Sequence, residues 1–150
     1  MSQDKIVILN KKASFEFFLL QTFSAGMMLS GTEVKAIREG KASLSEAYCF
    51  VQEGEVWIKN MHISEFKQGS YNNHEPKRLR KLLLNKAEIR KIESKLKEKG
   101  TTIIPVQLYF NERGYAKIDI AVARGKKMFD KREDLKKKDQ EMEIRKVVRT

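Results

Sequence analysis

Cysteine occurs once, at Cys49, so no intrachain disulfide can form and no cysteine-rich zinc site exists. That scarcity suits a reducing compartment. Histidine occurs twice, at His62 and His74, with no further ligands at metal-binding spacing. No Ser-His-Asp order, glycine-rich phosphate loop or paired-carboxylate signature is present, which argues against an enzyme. No stretch approaches the roughly 20 apolar residues of a membrane-spanning helix, and Met1–Leu9 carries no long apolar run after a basic start. The chain is therefore expected to be soluble, cytoplasmic and free of contact with membranes. Internal repeats are absent, and no cofactor or metal is implied.

Positive charge is abundant, and its position is informative. Of 31 basic and 20 acidic residues, ten basic and three acidic fall in Lys77–Lys99, and ten basic and six acidic in Lys126–Thr150. The remainder is neutral. A neutral body with two basic segments suits a polyanion, because neutralising phosphates releases counterions. A solvated lysine-rich surface is the plain alternative. At 150 residues the chain is expected to be one domain, burying roughly 70% of its unfolded surface.

Most of the periodicity is that of strands. Phe15, Phe17, Leu19 and Phe23 alternate with polar residues, and Gly26 is expected to mark a bulge or bend. Tyr48–Gln52 and Glu55–Met61 flank Glu53-Gly54 as a hairpin, and Thr102–Phe110 and Tyr115–Ala123 form a second. Pro105 fits a sheet edge or bulge. Thr32 is expected to cap a helix over Glu33–Glu39, closed by Gly40. Asn85 and Glu88 predict a capping box for a second helix with an Ile89, Ile92, Leu96 stripe. The fold class expected is mainly β: an OB-like closed antiparallel barrel of about six strands, with peripheral helices and a C-terminal tail. The barrel is assigned to residues 1–129. The tail, 130–150, lacks aromatic residues and carries the Lys136-Lys137-Lys138 run. It is expected to be disordered when free and to fold on a surface.

The segment 72–84 supplies amide, imidazole and guanidinium donors suited to phosphate and sugar: Asn73, His74, Arg78 and Arg80, with Lys81 beside them. A surface connector is the bland alternative. Arg124, Gly125, Lys126 and Lys127 end the last strand, where Gly125 permits close backbone approach and the lysines add point charges. His62 ends a strand and is as well explained by structure as by an RNA contact. Glu33 either accepts hydrogen bonds from a base or ribose, or is simply a helix-start carboxylate. Cys49 is expected to be buried packing, and the six methionines core or tail filler.

Six segments, in order, resemble one family. They are Gly31-Thr32-Glu33-Val34-Lys35, Gly54-Glu55-Val56-Trp57, His62-Ile63-Ser64, Asn73-His74-Glu75-Pro76, Arg80-Lys81-Leu82-Leu83-Leu84, and Ala123-Arg124-Gly125-Lys126-Lys127 followed by Asp130-Lys131-Arg132-Glu133. The resemblance is to SmpB, the bacterial small protein B that partners transfer-messenger RNA (tmRNA). It covers about Asn10 to Glu133. It implies an OB-like barrel that binds the tRNA-like domain of tmRNA at its elbow and D-loop side. It also implies delivery to stalled ribosomes, with elongation factor Tu and GTP reached through tmRNA, and action as a monomer. The tail then becomes helical in the decoding centre and empty mRNA channel.

Matched by motif, Glu33, with Lys35 in the same segment, and Asn10, with Lys11 beside it, become RNA contacts. Asp130, Lys131 and Arg132 become the ribosome-directed motif, joined by Lys136–Lys138 and, as an apolar anchor, Ile144. Phe129 stands where Tyr or His is common, leaving stacking without a hydrogen bond, and Asn85 stands where histidine is common. Two other readings have distinct signatures. A general OB-type binder of single-stranded RNA, stacking bases on Phe, Tyr and Trp, would not distinguish unstructured RNA from a tRNA-like fold. An RNA-cleaving or RNA-modifying enzyme using His62, His74 and Glu33 would lose turnover on Glu33→Gln.

Overall fold

The computed structural model describes residues 5–66 and 73–126. The expectations for Lys127, Phe129 and the whole tail lie outside the described residues. Among the described residues, nine strands and three helices follow in the order β1 Lys5–Leu9, α1 Lys12–Glu16, β2 Phe17–Met27, α2 Gly31–Arg38, β3 Ala42–Ser43, β4 Tyr48–Gln52, β5 Glu55–Lys59, β6 His62–Ile63, β7 Arg80–Leu83, α3 Lys86–Leu96, β8 Thr101–Phe110 and β9 Ala116–Gly125.

Six strands pair in a ring, β8–β4–β5–β7–β2–β9, which closes where β9 returns to β8. The pairings around the ring, and that of β1 with β8, are antiparallel. This is the mainly β, OB-like architecture expected. The length of β8 makes closure possible. One edge runs along β9, while the other meets β4 at Ile103 and β1 at Gln107–Phe110. The ring interior is filled by alternate residues: Phe23, Ala25 and Met27 from β2, Val56 and Ile58 from β5, Ile118, Ile120 and Val122 from β9. Each fully buried branched side chain contributes about 1.5–3 kcal/mol.

Both hairpins form where expected, and Gly54 takes the positive φ (75°) of its turn beside Glu53 (54°). Pro105 sits at a register shift in β8, where its missing N–H costs no ladder bond. Asn85 caps α3 with the reciprocal Glu88 bond, and Ile89 and Ile92 seal it to the core.

Three expectations are corrected. Phe15 belongs to α1, because the Asn10 side chain turns the chain: its amide donates to Pro105 O (2.8 Å) and its carbonyl accepts from the Lys12 amide (3.2 Å). Ala13 then packs on Ile104 and Ala123, in a small cluster separate from the ring's core. The irregularity in β2 falls between Leu19 and Gln21 rather than at Gly26, which is where β7 joins its second edge. Ser30, not Thr32, caps α2. In the segment 72–84 the surface-connector alternative is set aside by β7, whose inward positions are Arg80 and Leu82.

Candidate RNA interface

The carboxylate of Glu33 is the centre of one group of site residues. As the third residue of α2 it closes a capping box, with the Ser30 amide donating to Oε1 (2.8 Å) and the Ser30 hydroxyl accepting from the Glu33 amide (3.4 Å). Its side chain is wholly inaccessible. Oε2 accepts from Arg80 Nε (2.7 Å) and Arg78 Nε (3.1 Å), and Oε1 from Arg78 Nη2 (2.7 Å). Arg80 is equally enclosed and spends its remaining donors on Met61 O (2.8 Å) and Pro76 O (3.0 Å). Arg78 reaches back to Met28 O (3.2 Å), and its side chain is 40% exposed. One carboxylate thus ties α2 to the end of β2, β7 and the 73–78 loop.

Burial would raise the Glu33 pKa. The hydrogen bonds from Arg78 and the Ser30 amide, with the Arg80 charge, outweigh it and bring the value from 4.5 to about 2. The hydrogen bond to Glu33 raises Arg78. Burial lowers Arg80 against the pull of the same carboxylate. A carboxyl depressed on folding stabilises the fold above its unfolded pKa and loses that contribution as pH falls through the folded value. Glu33 is expected to supply about 3 kcal/mol at neutral pH, lost between about pH 4.5 and pH 2. Urea midpoints across that range check this, with Glu33→Gln flattening that part of the profile.

The 73–78 loop is pinned beside the clamp. His74 is nearly buried; Nε2 donates to Ile63 O (2.9 Å), leaving Nδ1 to accept from the Thr32 hydroxyl (2.9 Å). Asn73 brackets Phe66, donating to its carbonyl (2.6 Å) and accepting from its amide (2.9 Å). Lys35 is exposed, with Nζ 5.6 Å from the centre of the Phe66 ring. His62 is half-buried on β6 opposite Ser43. Lys81 faces outward from β7 with Glu55 3.5 Å away.

A second group lies at the other end of β2. Phe17 pairs with Gly125, the Lys126 amide donates to Glu16 O (2.9 Å), and Lys126 Nζ sits 5.1 Å from the Phe18 ring centre. Arg124 is exposed and meets Glu98 at 3.5 Å. Lys11 is exposed, whereas Asn10 serves the corner described above. Phe15, which its sequence pattern marks only as a strand residue, is 77% exposed here.

The expected contact set therefore divides in two ways. Ten residue steps of β2 separate the groups, roughly 30 Å for an extended strand, so no small ligand spans them. Within the groups, Glu33, Arg80 and His74 are enclosed and present no free polar atom at the surface. The outcome for Glu33 is the helix-start carboxylate, enlarged into an ion-pair hub. Lys11, Lys35, Arg78, Arg124 and Gly125 remain outward, with Lys81 and Lys126 partly so. Ser30 and Thr32 join this site as hydrogen-bond partners that sequence reasoning did not place there.

No helix among the described residues is long and apolar enough to cross a membrane. An OB-like ring with cationic, exposed ends and a rigid internal clamp defines a protein built to meet an extended polyanion rather than a small molecule.

Comparison with known proteins gives the family. The family model described as SmpB protein matches residues 7–150, and the chain belongs to the SmpB family. An SsrA-binding protein of Cytophaga hutchinsonii is 56% identical over 151 residues, covering 98% of this chain and 99% of the relative. Another, from Phocaeicola vulgatus, is 54% identical over 144 residues, 96% of each chain. A solved structure described as "tmRNA-SmpB: a journey to the center of the bacterial ribosome" matches with TM-score 0.68 and 43% identity, covering 80% of this chain and 84% of that one.

Proposed function

We propose that this chain binds the tRNA-like domain of tmRNA and carries it to stalled ribosomes for trans-translation. Membership of the SmpB family over nearly the whole chain is the observation that carries this reading. The body, residues 1–129, holds the RNA. Lys11, Lys35, Arg78, Arg124, Lys126 and Lys127 supply phosphate contacts, while Gly125 allows close backbone approach. Glu33, Arg80, Asn73, His74 and Asn10 act as positioning residues, fixing the loop and corner that carry those charges. His62 is half-buried at the surface of β6, where it can add a polar contact.

The tail, residues 130–150, addresses the ribosome through Asp130, Lys131, Arg132, the Lys136–Lys138 run and Ile144. It enters the decoding centre and mRNA channel. The chain acts as a cytoplasmic monomer, without catalysis, and meets elongation factor Tu with GTP only through tmRNA.

Filter binding at fixed salt tests the central step. A folded tRNA-like RNA should bind at least about a hundredfold more tightly than an unstructured RNA of equal length. Equal affinity would instead favour a general single-strand binder. Lys11→Glu and Lys35→Glu are each expected to weaken binding severalfold. Each should also lower the slope of log affinity against log salt by about 1, a titration that separates phosphate contacts from structural effects.

A further inference from the structure

The outer face of the β4–β5–β7 sheet carries aromatic residues that the core does not use. In the β4–β5 hairpin Tyr48 pairs with Lys59 and Phe50 with Trp57, and Trp57 pairs in turn with Lys81 of β7. Cys49, Val51, Val56 and Ile58 fill the ring's interior, so the two-residue period of a strand turns Tyr48, Phe50 and Trp57 to the outside. Tyr48 is 39% exposed, and Phe50 and Trp57 are half-buried yet belong to neither apolar cluster. The Tyr48 and Phe50 rings lie 6.4 Å apart and are tilted by 45°, so they do not consume each other by stacking face to face. Lys59 is exposed opposite Tyr48, and Lys81, shared with Glu55 at 3.5 Å, lies opposite Trp57.

Aromatic rings flanked by cations on a sheet face match the chemistry of unpaired nucleotides. Bases stack on the rings and the backbone follows the positive groups. We propose that this face is a second RNA-binding surface, taking a short single-stranded RNA segment on Tyr48, Phe50 and Trp57. The choice of RNA over another partner follows from the lysines that flank the rings, Lys59 and Lys81. β7 turns Arg80 inward to the Glu33 clamp and Lys81 outward to this face, so both surfaces can be occupied together. The ligand class rests on the RNA-binding reading above, to which this face adds a separate site.

Trp57 is the only tryptophan, so its emission reports on this face alone. Titrating the full chain with decauridylate should quench that emission saturably. The quench should persist when the chain is saturated with a folded tRNA-like RNA. Tyr48→Ala and Lys59→Glu should weaken decauridylate binding about tenfold, while the thermal midpoint and the affinity for the tRNA-like RNA stay at wild-type values. Unchanged Trp57 emission would overturn the proposal. So would wild-type decauridylate affinity in Tyr48→Ala, or displacement of decauridylate by the tRNA-like RNA. A wild-type chain that holds decauridylate but not the tRNA-like RNA would support this face and count against the tmRNA reading instead.

Discussion

Glu33→Ala should cost about 3–5 kcal/mol of folding stability, the loss expected when a buried ion pair is broken from one side. The cause is what the change leaves behind. Arg80 would remain wholly enclosed with its charge unpaired, and Arg78 would lose both bonds to the carboxylate and keep only that to Met28 O. For a domain of this size the thermal midpoint should fall by about 10–20 °C. Against a total stability of roughly 5–15 kcal/mol, such a loss reaches a large part of the fold.

The companion variants separate charge from shape. Glu33→Met with Arg80→Met replaces the inner pair by apolar side chains of similar length and should recover much of that stability. RNA affinity should recover less, because Arg78 would still lack its positioning partner. Denaturant unfolding beside filter binding on the same samples reads both quantities. Equal recovery of stability and affinity would contradict the positioning role of the carboxylate.

Ending the chain after Phe129 should leave binding of the tRNA-like RNA within about twofold of wild type and abolish peptide tagging on stalled ribosomes. The division of charge is the reason. The body retains every outward cation of both groups flanking β2, while the removed segment holds Lys131, Arg132, Lys136, Lys137 and Lys138. Removing one cation that neutralises a phosphate changes the salt slope by roughly 0.7–0.9, so an unchanged slope in the shortened chain would assign the tail to another RNA. A truncation that removes affinity for the tRNA-like RNA would defeat the two-part model.

Period and turn chemistry made most of the fold readable in advance. The β4–β5 and β8–β9 hairpins, the Asn85–Glu88 cap and the bulge at Pro105 depend on residues close in sequence, and they stand where those residues put them. The Ser30-x-x-Glu33 capping box was equally visible but hidden behind Thr32, a good cap two positions later. What the chain could not disclose is which face Arg80 takes. In a run of Arg, Lys and Leu, a basic residue reads as surface. Only the ring topology, pairing Arg80 with Ile58 and aligning it with Leu82, turns it inward to a carboxylate 47 residues away. Separation of the site residues along β2 was invisible for the same reason, since sequence order says nothing of which strand ends meet. The Phe15 helix depended on a long-range bond from Asn10 to Pro105 that competes with local alternation.

The RNA that travels with the full-length chain out of bacterial cells tests the tmRNA-binding role most directly. Affinity purification at moderate salt, followed by RNA extraction and sequencing, should return tmRNA as the dominant species, near one RNA per chain. A population of bulk tRNA, ribosomal fragments and unstructured RNA in cellular proportions would contradict it.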